Sequence, residues 1–295
     1  MTPSVVDITL LAALLLATAY AVLVLVFLVP KTRALGKDML HIMLSATLIA
    51  GLICGSFVAG GLILWIALIL LGFRIGYETG FVTISPQKSY LTGSLLAAST
   101  AAITWFSAPQ IIMVLITLWS LCLMRHLWAY FSAQRTDIVS QILLFPLLPF
   151  LLFAHAAGLP DYAPFVLGSY LLVETFDGYA LVAGKLFGRT KAFPTLSPGK
   201  TVEGLAGGAV MLVLTAMAAA WALGLPMVPT LLLSLLVGVL TVAGDLAASR
   251  LKRQAGVKDY PVLMARQGGA LDSLDSWVAA GAGLGAVLAL YGVFG

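Results

Sequence analysis

Apolar residues run through this chain in blocks long enough to cross a bilayer, without the period-two alternation of a membrane β-strand. Stretches such as Leu10 to Val29 and Leu91 to Ile103 are apolar or small on every face, which describes buried helices and excludes a β-barrel. Breaks at Gly, Pro and charged residues divide the chain into about ten spans, at 7–29, 39–55, 58–73, 90–106, 109–130, 138–157, 163–187, 204–224, 227–249 and 275–294. The stretch 39–73 is too long for one crossing, since at ~1.5 Å per residue it would reach about 50 Å. A tight turn is therefore expected within Gly55-Ser56-Phe57-Val58-Ala59-Gly60-Gly61. The predicted fold class is all-α, a polytopic membrane helical bundle.

Positive charge tests this division, because Lys and Arg collect in short cytoplasmic loops. The connections after odd spans hold Lys31, Arg33 and Lys37; Arg74 and Lys88; Arg135; Lys185, Arg189, Lys191 and Lys200; and Arg250, Lys252, Arg253, Lys258 and Arg266. Arg125, near the end of the fifth span, can snorkel to the same side. Connections after even spans, such as Ser107-Ala108-Pro109 and Gly224-Leu225-Pro226, hold none, so all 16 basic residues fall on one side. A miscount of one helix would scramble that segregation. The expectation is both termini outside and odd loops cytoplasmic, in a bacterial inner membrane. The net charge of +4 then reflects topology plus binding of anionic headgroups or phosphate, and no nucleic-acid surface is expected.

Composition agrees: 61% hydrophobic side chains exceed what one soluble core can hide. The first apolar run lacks a basic n-region and is long enough to span, so it is expected to stay as a helix instead of being removed as a signal peptide. No soluble domain, long linker or fixed-period repeat stands out. Cys54 and Cys122 lie in apolar segments without paired spacing or a His cluster, which argues against a disulfide or a zinc site. Gly-xxx-Gly spacings at Gly51 and Gly55, Gly204 and Gly208, and Gly281 and Gly285 are expected to mark close helix packing.

With only 9% charged residues, ionisable groups inside the spans are candidates for function. Glu174 and Asp177 are one turn apart on a shared face of the seventh span. The loop after it ends in Ser197-Pro198-Gly199-Lys200-Thr201. That order lacks the first glycine and preceding strand of a nucleotide P-loop, but Lys200 and the backbone N–H groups entering the next helix could hold a phosphate. Densest of all is Gly244 to Asp275. There Asp245, Ser249 and Lys252 share a face at i, i+4 and i+7, with Arg253 alongside, and Asp272 and Asp275 share one at i and i+3. Carboxylates converging beside Lys and Arg suit Mg²⁺ and polyphosphate: hard oxygens take the metal and basic groups take the remaining phosphate charge. A helix N-cap would account for Asp272 alone.

At these residues the chain resembles the phosphatidate cytidylyltransferase family, the CDP-diacylglycerol synthases. Their signature, S-x-x-K-R-x4-K-D followed by H-G-G-x-x-D-R-x-D, is matched by Ser249, Lys252, Arg253, Lys258 and Asp259, then by Gly268, Gly269, Asp272 and Asp275. Upstream elements match through Asp177, Ala180, Gly184, Lys185, Phe187, Gly188 and Ser197 to Thr201. The likeness covers about 39–294, so residues 1–38 read as an added helix and loop before a cytidylyltransferase-like domain, 39–295. Gln267 stands in place of the family's His, Ser273 in place of its Arg, and Pro261 where Gly is usual; Arg266 precedes Gln267.

The resemblance implies that a lipid phosphate, foremost phosphatidic acid, and CTP give a CDP-lipid and pyrophosphate. Asp245, Asp272 and Asp275 would hold Mg²⁺, with Asp177 orienting a basic partner or a second cation. Lys200, Lys252, Arg253 and Lys258 would bind the lipid phosphate or pyrophosphate, and Arg266 would replace the cation missing at Ser273. Ser197, Thr201, Ser249, Asp259 and Gln267 complete the expected substrate-binding set, and a second copy of the chain is a further expected partner. Three other readings stay open: a CTP-dependent enzyme acting on another lipid phosphate or a lipid alcohol, a non-catalytic lipid-binding relative, and a transporter. The last would place ions near the midplane, whereas here charge gathers at one face.

Overall fold

Ten helical rods account for almost all of the computed structural model, which describes residues 3–28, 33–106, 109–132, 136–263 and 268–294. Five come first: α1 (Val5–Leu28), α2 (Arg33–Ala59), α3 (Gly61–Thr83), α4 (Ser89–Phe106) and α5 (Pro109–Phe131). The sixth rod is broken into α6 (Ile138–Ile142) and α7 (Leu148–Gly158), and α8 (Ala163–Phe187) follows. An antiparallel hairpin, β1 (Lys191–Phe193) and β2 (Ser197–Thr201), leads into α9 (Val202–Leu223), α10 (Met227–Gln254) and α11 (Ala270–Phe294). Among the described residues, seven helices are long and apolar enough to cross a membrane, and the chain is a polytopic helical membrane protein.

The element count agrees with the apolar pattern, and the boundaries move. The turn expected across 55–61 shrinks to Gly60, because α2 runs on through Ala59. Gly60 and Gly61 have φ of 59° and 45°, a region in which a side chain would be strained. The third span ends at Thr83 instead of residue 73, so Arg74 belongs to a helix and not to a loop. Its guanidinium pairs with Glu78 one turn later, which lets an apolar helix continue through two charges. α11 starts at Ala270, five positions ahead of expectation, so Asp272 and Asp275 lie within its opening turns.

α11 is the hub. Its run Ala279-Ala280-Gly281-Ala282-Gly283 is narrow enough for α3, α5, α7, α8 and α10 all to pack on it. A Cβ on Gly281 would lie 2.5 Å from the Phe153 ring, and one on Gly285 would lie 2.6 Å from Ala156 Cβ. Trp277 seats the same helix: its Nε1–H donates to Val166 O at 2.9 Å, and the Phe153 and Tyr170 rings meet it edge-on at 4.7 and 5.1 Å.

The other glycine pairs divide. Gly204 and Gly208 press α9 onto α8, with Ala180 O and Phe176 O both 2.7 Å from where a Cβ would be. Gly51 and Gly55 face open space, so that spacing marks no helix contact among the described residues. In the broken rod, extended Phe145 and the following Pro146 interrupt the helix, and Leu144 O instead accepts from Trp119 Nε1 at 3.1 Å.

Candidate active site

The hairpin between α8 and α9 delivers one lysine into the bundle. Thr201, the last strand residue, caps α9 by accepting from Gly204 N at 3.1 Å, and Val202 N donates to Thr190 O at 2.9 Å. Glu203 braces the hairpin by accepting from the backbone N–H groups of Arg189 and Thr190 at 3.0–3.2 Å. With β2 thus tied at both edges, Lys200 Nζ lies 3.2 Å from Asp245 Oδ2 on α10 and 3.9 Å from Asp177 Oδ1 on α8. Three segments far apart in sequence meet at one ammonium group.

Asp275 joins this cluster from α11 because α10 approaches very closely. A Cβ on Gly244 would fall 2.7 Å from Asp275 O and 2.8 Å from Ala279 Cβ, and Ser276 Oγ donates to Thr241 O at 3.0 Å. Asp275 is 5% exposed and accepts from Ser276 N at 2.6 Å; Asp245, Lys252 and Asp177 are its ionisable neighbours.

A second pair closes the other side. Lys252 Nζ lies 2.6 Å from Asp272 Oδ1, while Asp272 Oδ2 accepts from Tyr260 N and Gly269 N, both at 2.9 Å. The ammonium also sits 5.3 Å from the Tyr260 ring centroid, a cation–π arrangement. Tyr260 lies outside the spans and is 1% exposed. Burial first, then the nearby carboxylates, push its phenol well above its ordinary range, and its hydroxyl has no hydrogen-bond partner among the described residues.

The glycine pair before α11 has two separate reasons. Gly268 has φ of 76°, a left-handed conformation. A Cβ on Gly269 would strike Glu78 Oε2 at 2.6 Å. Glu78, fully buried, accepts from Ala270 N and Leu271 N at 2.7 Å each and from Arg74 Nε at 2.6 Å. Arg74 in turn donates to Pro261 O at 2.5 Å. Sequence reasoning missed this pair, although Arg and Glu four apart in an apolar helix were the available signal.

The remaining expected residues are sorted by the same contacts. Ser249 is buried on α10, while Ser197 opens β2 and is partly buried. Arg253 is exposed and donates to Val257 O at 3.2 Å, closing the end of α10; Lys258 and Asp259 are exposed in the loop. Thr201 uses its hydroxyl as the α9 cap. Arg266 and Gln267 lie outside the described residues. Ser273 lines a cavity of ≈ 230 Å³ with Glu174, Tyr170, Ala46 and Ile49, between α2, α8 and α11.

Among the described residues no three His, Cys, Asp or Glu side chains are grouped closely enough to hold a metal ion unaided. Asp272 has both oxygens engaged by Lys252, Tyr260 N and Gly269 N. Asp245 Oδ2 is buried and accepts no hydrogen bond of good geometry, even with Lys200 nearby. These features fit a cation that takes one or two carboxylates and completes its shell with substrate phosphate and water, as Mg²⁺ does, and not an all-protein cage.

The sequence profile of the Cytidylyltransferase family matches residues 39–291. A phosphatidate cytidylyltransferase of Aquifex aeolicus is 31% identical over 224 residues, 72% of this chain and 77% of that protein. Another, from Synechocystis, is 37% identical over 127 residues, 42% of this chain and 43% of its own length. An uncharacterized Escherichia coli protein, YnbB, is 41% identical over 112 residues, 36% of each chain. The chain therefore spans less than half the length of these last two relatives in the matched regions.

Proposed function

Since the chain belongs to the cytidylyltransferase family, we propose that it transfers the cytidylyl group of CTP to a lipid phosphate, foremost phosphatidic acid. The products are a CDP-lipid such as CDP-diacylglycerol, and pyrophosphate. The observation that carries this reading is the meeting of Lys200 with Asp177 and Asp245, beside buried Asp275 and the Lys252–Asp272 pair. Four carboxylates against two ammonium groups leave a surplus of two negative charges when all are ionised. One Mg²⁺ matches that surplus, and Asp245 and Asp275 are the groups proposed to hold it, with substrate phosphate and water completing its shell. A bound Mg²⁺ would neutralise the CTP phosphates and draw charge from the bond to be broken.

The lipid phosphate is already largely ionised near neutral pH, its second pKa being about 6, so the reaction asks for no dedicated base. Its oxygen attacks the α-phosphorus of CTP, the new P–O bond forms, and the bond to the β-phosphate breaks to release pyrophosphate. Lys200 and Lys252 neutralise charge on the phosphates, and Asp272, held by three donors, fixes the Lys252 ammonium in place. Catalysis is then positioning plus electrostatic stabilisation, as in phosphoryl transfer generally. The acceptor is proposed to enter by the cavity at Glu174 and Ser273, whose apolar wall of Ala46 and Ile49 suits a lipid. The one-sided Lys and Arg pattern supports a cytoplasmic orientation for this face in a bacterial inner membrane.

CTP labelled separately at its α- and γ-phosphates tests the reaction class. Cytidylyl transfer puts the α label in the lipid product and the γ label in pyrophosphate. A γ label in the lipid would instead identify a lipid-alcohol kinase.

A further inference from the structure

The structure assigns a positioning role to the Arg74–Glu78 pair of α3: it holds both ends of the segment that joins Tyr260 to α11, and so sets where Asp272 meets Lys252. This inference rests on the proposed reaction for its kinetic consequence, though not for the geometry itself.

Four bonds define the bracket. At the segment's entrance, Arg74 donates to Pro261 O at 2.5 Å. At its exit, Glu78 accepts from Ala270 N and Leu271 N at 2.7 Å each. Arg74 Nε donates to Glu78 Oε1 at 2.6 Å, joining the two grips. A further bond, Leu263 N to Gly268 O at 2.8 Å, draws the segment's ends together.

Helix N-termini carry unpaired N–H groups and a partial positive charge, and a carboxylate satisfies both. Such a carboxylate usually comes from the helix's own cap residue. Here α3 supplies it from 192 residues away in sequence. Pointing inward, it is fully buried, where an ionised group persists only with strong partners. A carboxylate that satisfies two backbone donors and one guanidinium fixes the axial position of α11 relative to α3.

Asp272 is the next acidic residue along that first turn. It accepts from Tyr260 N and Gly269 N, the residues immediately before the bracket's two grips, Pro261 and Ala270. A shift at either grip moves Asp272 relative to Lys252 Nζ, which is 2.6 Å from it. Arg74 is suited to its task because one guanidinium can serve Glu78 and Pro261 O together; a lysine ammonium on a flexible stem is not.

Glu78→Gln keeps the side-chain volume but gives one acceptor oxygen where two are used, and turns an NH₂ toward a donor. Arg74→Lys keeps the charge but loses the fork. Purified full-length variants should be compared with wild type by hydrogen exchange over 268–274, by thermal stability, and by CTP-dependent pyrophosphate release with a lipid phosphate. Arg125→Met, which breaks an exposed pair with Asp137 away from the site, is the control. Both bracket variants are expected to exchange at least tenfold faster over 268–274, with α9 unchanged. Their kcat per folded molecule should fall at least tenfold, while KM for CTP moves less than threefold. Folded variants with wild-type exchange overturn the bracket. Faster exchange with kcat within twofold of wild type overturns the positioning role. If the wild type itself releases no pyrophosphate, the proposed reaction fails, and the exchange measurement still decides the bracket.

Discussion

Lys200 and Asp245, carried by a strand and by a helix on different sides of α9 in sequence, meet at 3.2 Å. Asp177 reaches the same ammonium from α8 at 3.9 Å, so one lysine separates two carboxylates that would otherwise repel. At this spacing a pair of unit charges interacts by about 4–5 kcal/mol in an effective dielectric of 20. Lys200→Met should therefore cost more than a phosphate contact. Turnover is expected to fall about 10²-fold or more, with a raised KM for CTP. Steady-state kinetics across a Mg²⁺ titration check this, and wild-type kinetics at every Mg²⁺ level would count against the assignment.

Asp275 is buried beside Asp245 and Asp177. Asp275→Asn replaces the buried carboxyl group with an amide of the same volume, so the variant should fold. Its turnover should fall by about 10²–10³-fold, the usual cost of losing one preorganised electrostatic partner. Chelation of divalent cations should stop wild-type turnover, and added Mg²⁺ should restore it. Pyrophosphate release that is unaffected by chelator would remove the metal from the account.

Gly244 tests the approach of α10 to α11. Gly→Ala inside a helix ordinarily gains about 1 kcal/mol from propensity, and Gly238→Ala, with nothing nearer than Leu212 Cδ1 at 3.7 Å, should behave that way. Gly244→Ala drives a methyl to 2.7 Å from Asp275 O, so overpacking of about 1–3 kcal/mol should outweigh the gain. Thermal melts of the two variants in one detergent should move in opposite directions, with activity lost only in the second.

Thr201 holds Lys200 at the edge of a helix. Thr201→Ala removes the acceptor for Gly204 N and should cost about 1 kcal/mol, while Thr201→Ser keeps the cap. A kcat lowered in the alanine variant and retained in the serine variant would tie the cap to Lys200 placement; equal rates in both would limit the hydroxyl to stability.

Much of the fold could be read directly because its cause is local. Apolar runs broken by Gly, Pro and charge indicate about ten helices, and ten rods stand among the described residues. Within the site, Asp245 with Lys252 on α10, and Asp272 with Asp275 on α11, follow from helical spacing alone. What spacing cannot give is which partner each side chain meets across helices. Asp272 and Asp245 looked equivalent as metal ligands, yet Asp272 is filled by Lys252 and two backbone donors, whereas Asp245 keeps a buried oxygen without a good hydrogen bond. Arg253 and Thr201, expected at phosphate, also close helix ends, a task that spacing alone does not reveal. The i,i+4 spacing of Arg74 and Glu78 was legible, but Glu78's other partners are backbone N–H groups of a distant helix, which carry no residue signature.

The cluster of Lys200, Lys252 and their carboxylates is proposed to join CTP to a lipid phosphate. Pyrophosphate release by the purified protein, with CTP, Mg²⁺ and a panel of lipid phosphates that includes phosphatidic acid, measures it most directly. The expected result is release that requires both CTP and a lipid phosphate, matched by CDP-lipid formation and lost in Asp275→Asn. No release with any acceptor, or release undiminished in that variant, would contradict it.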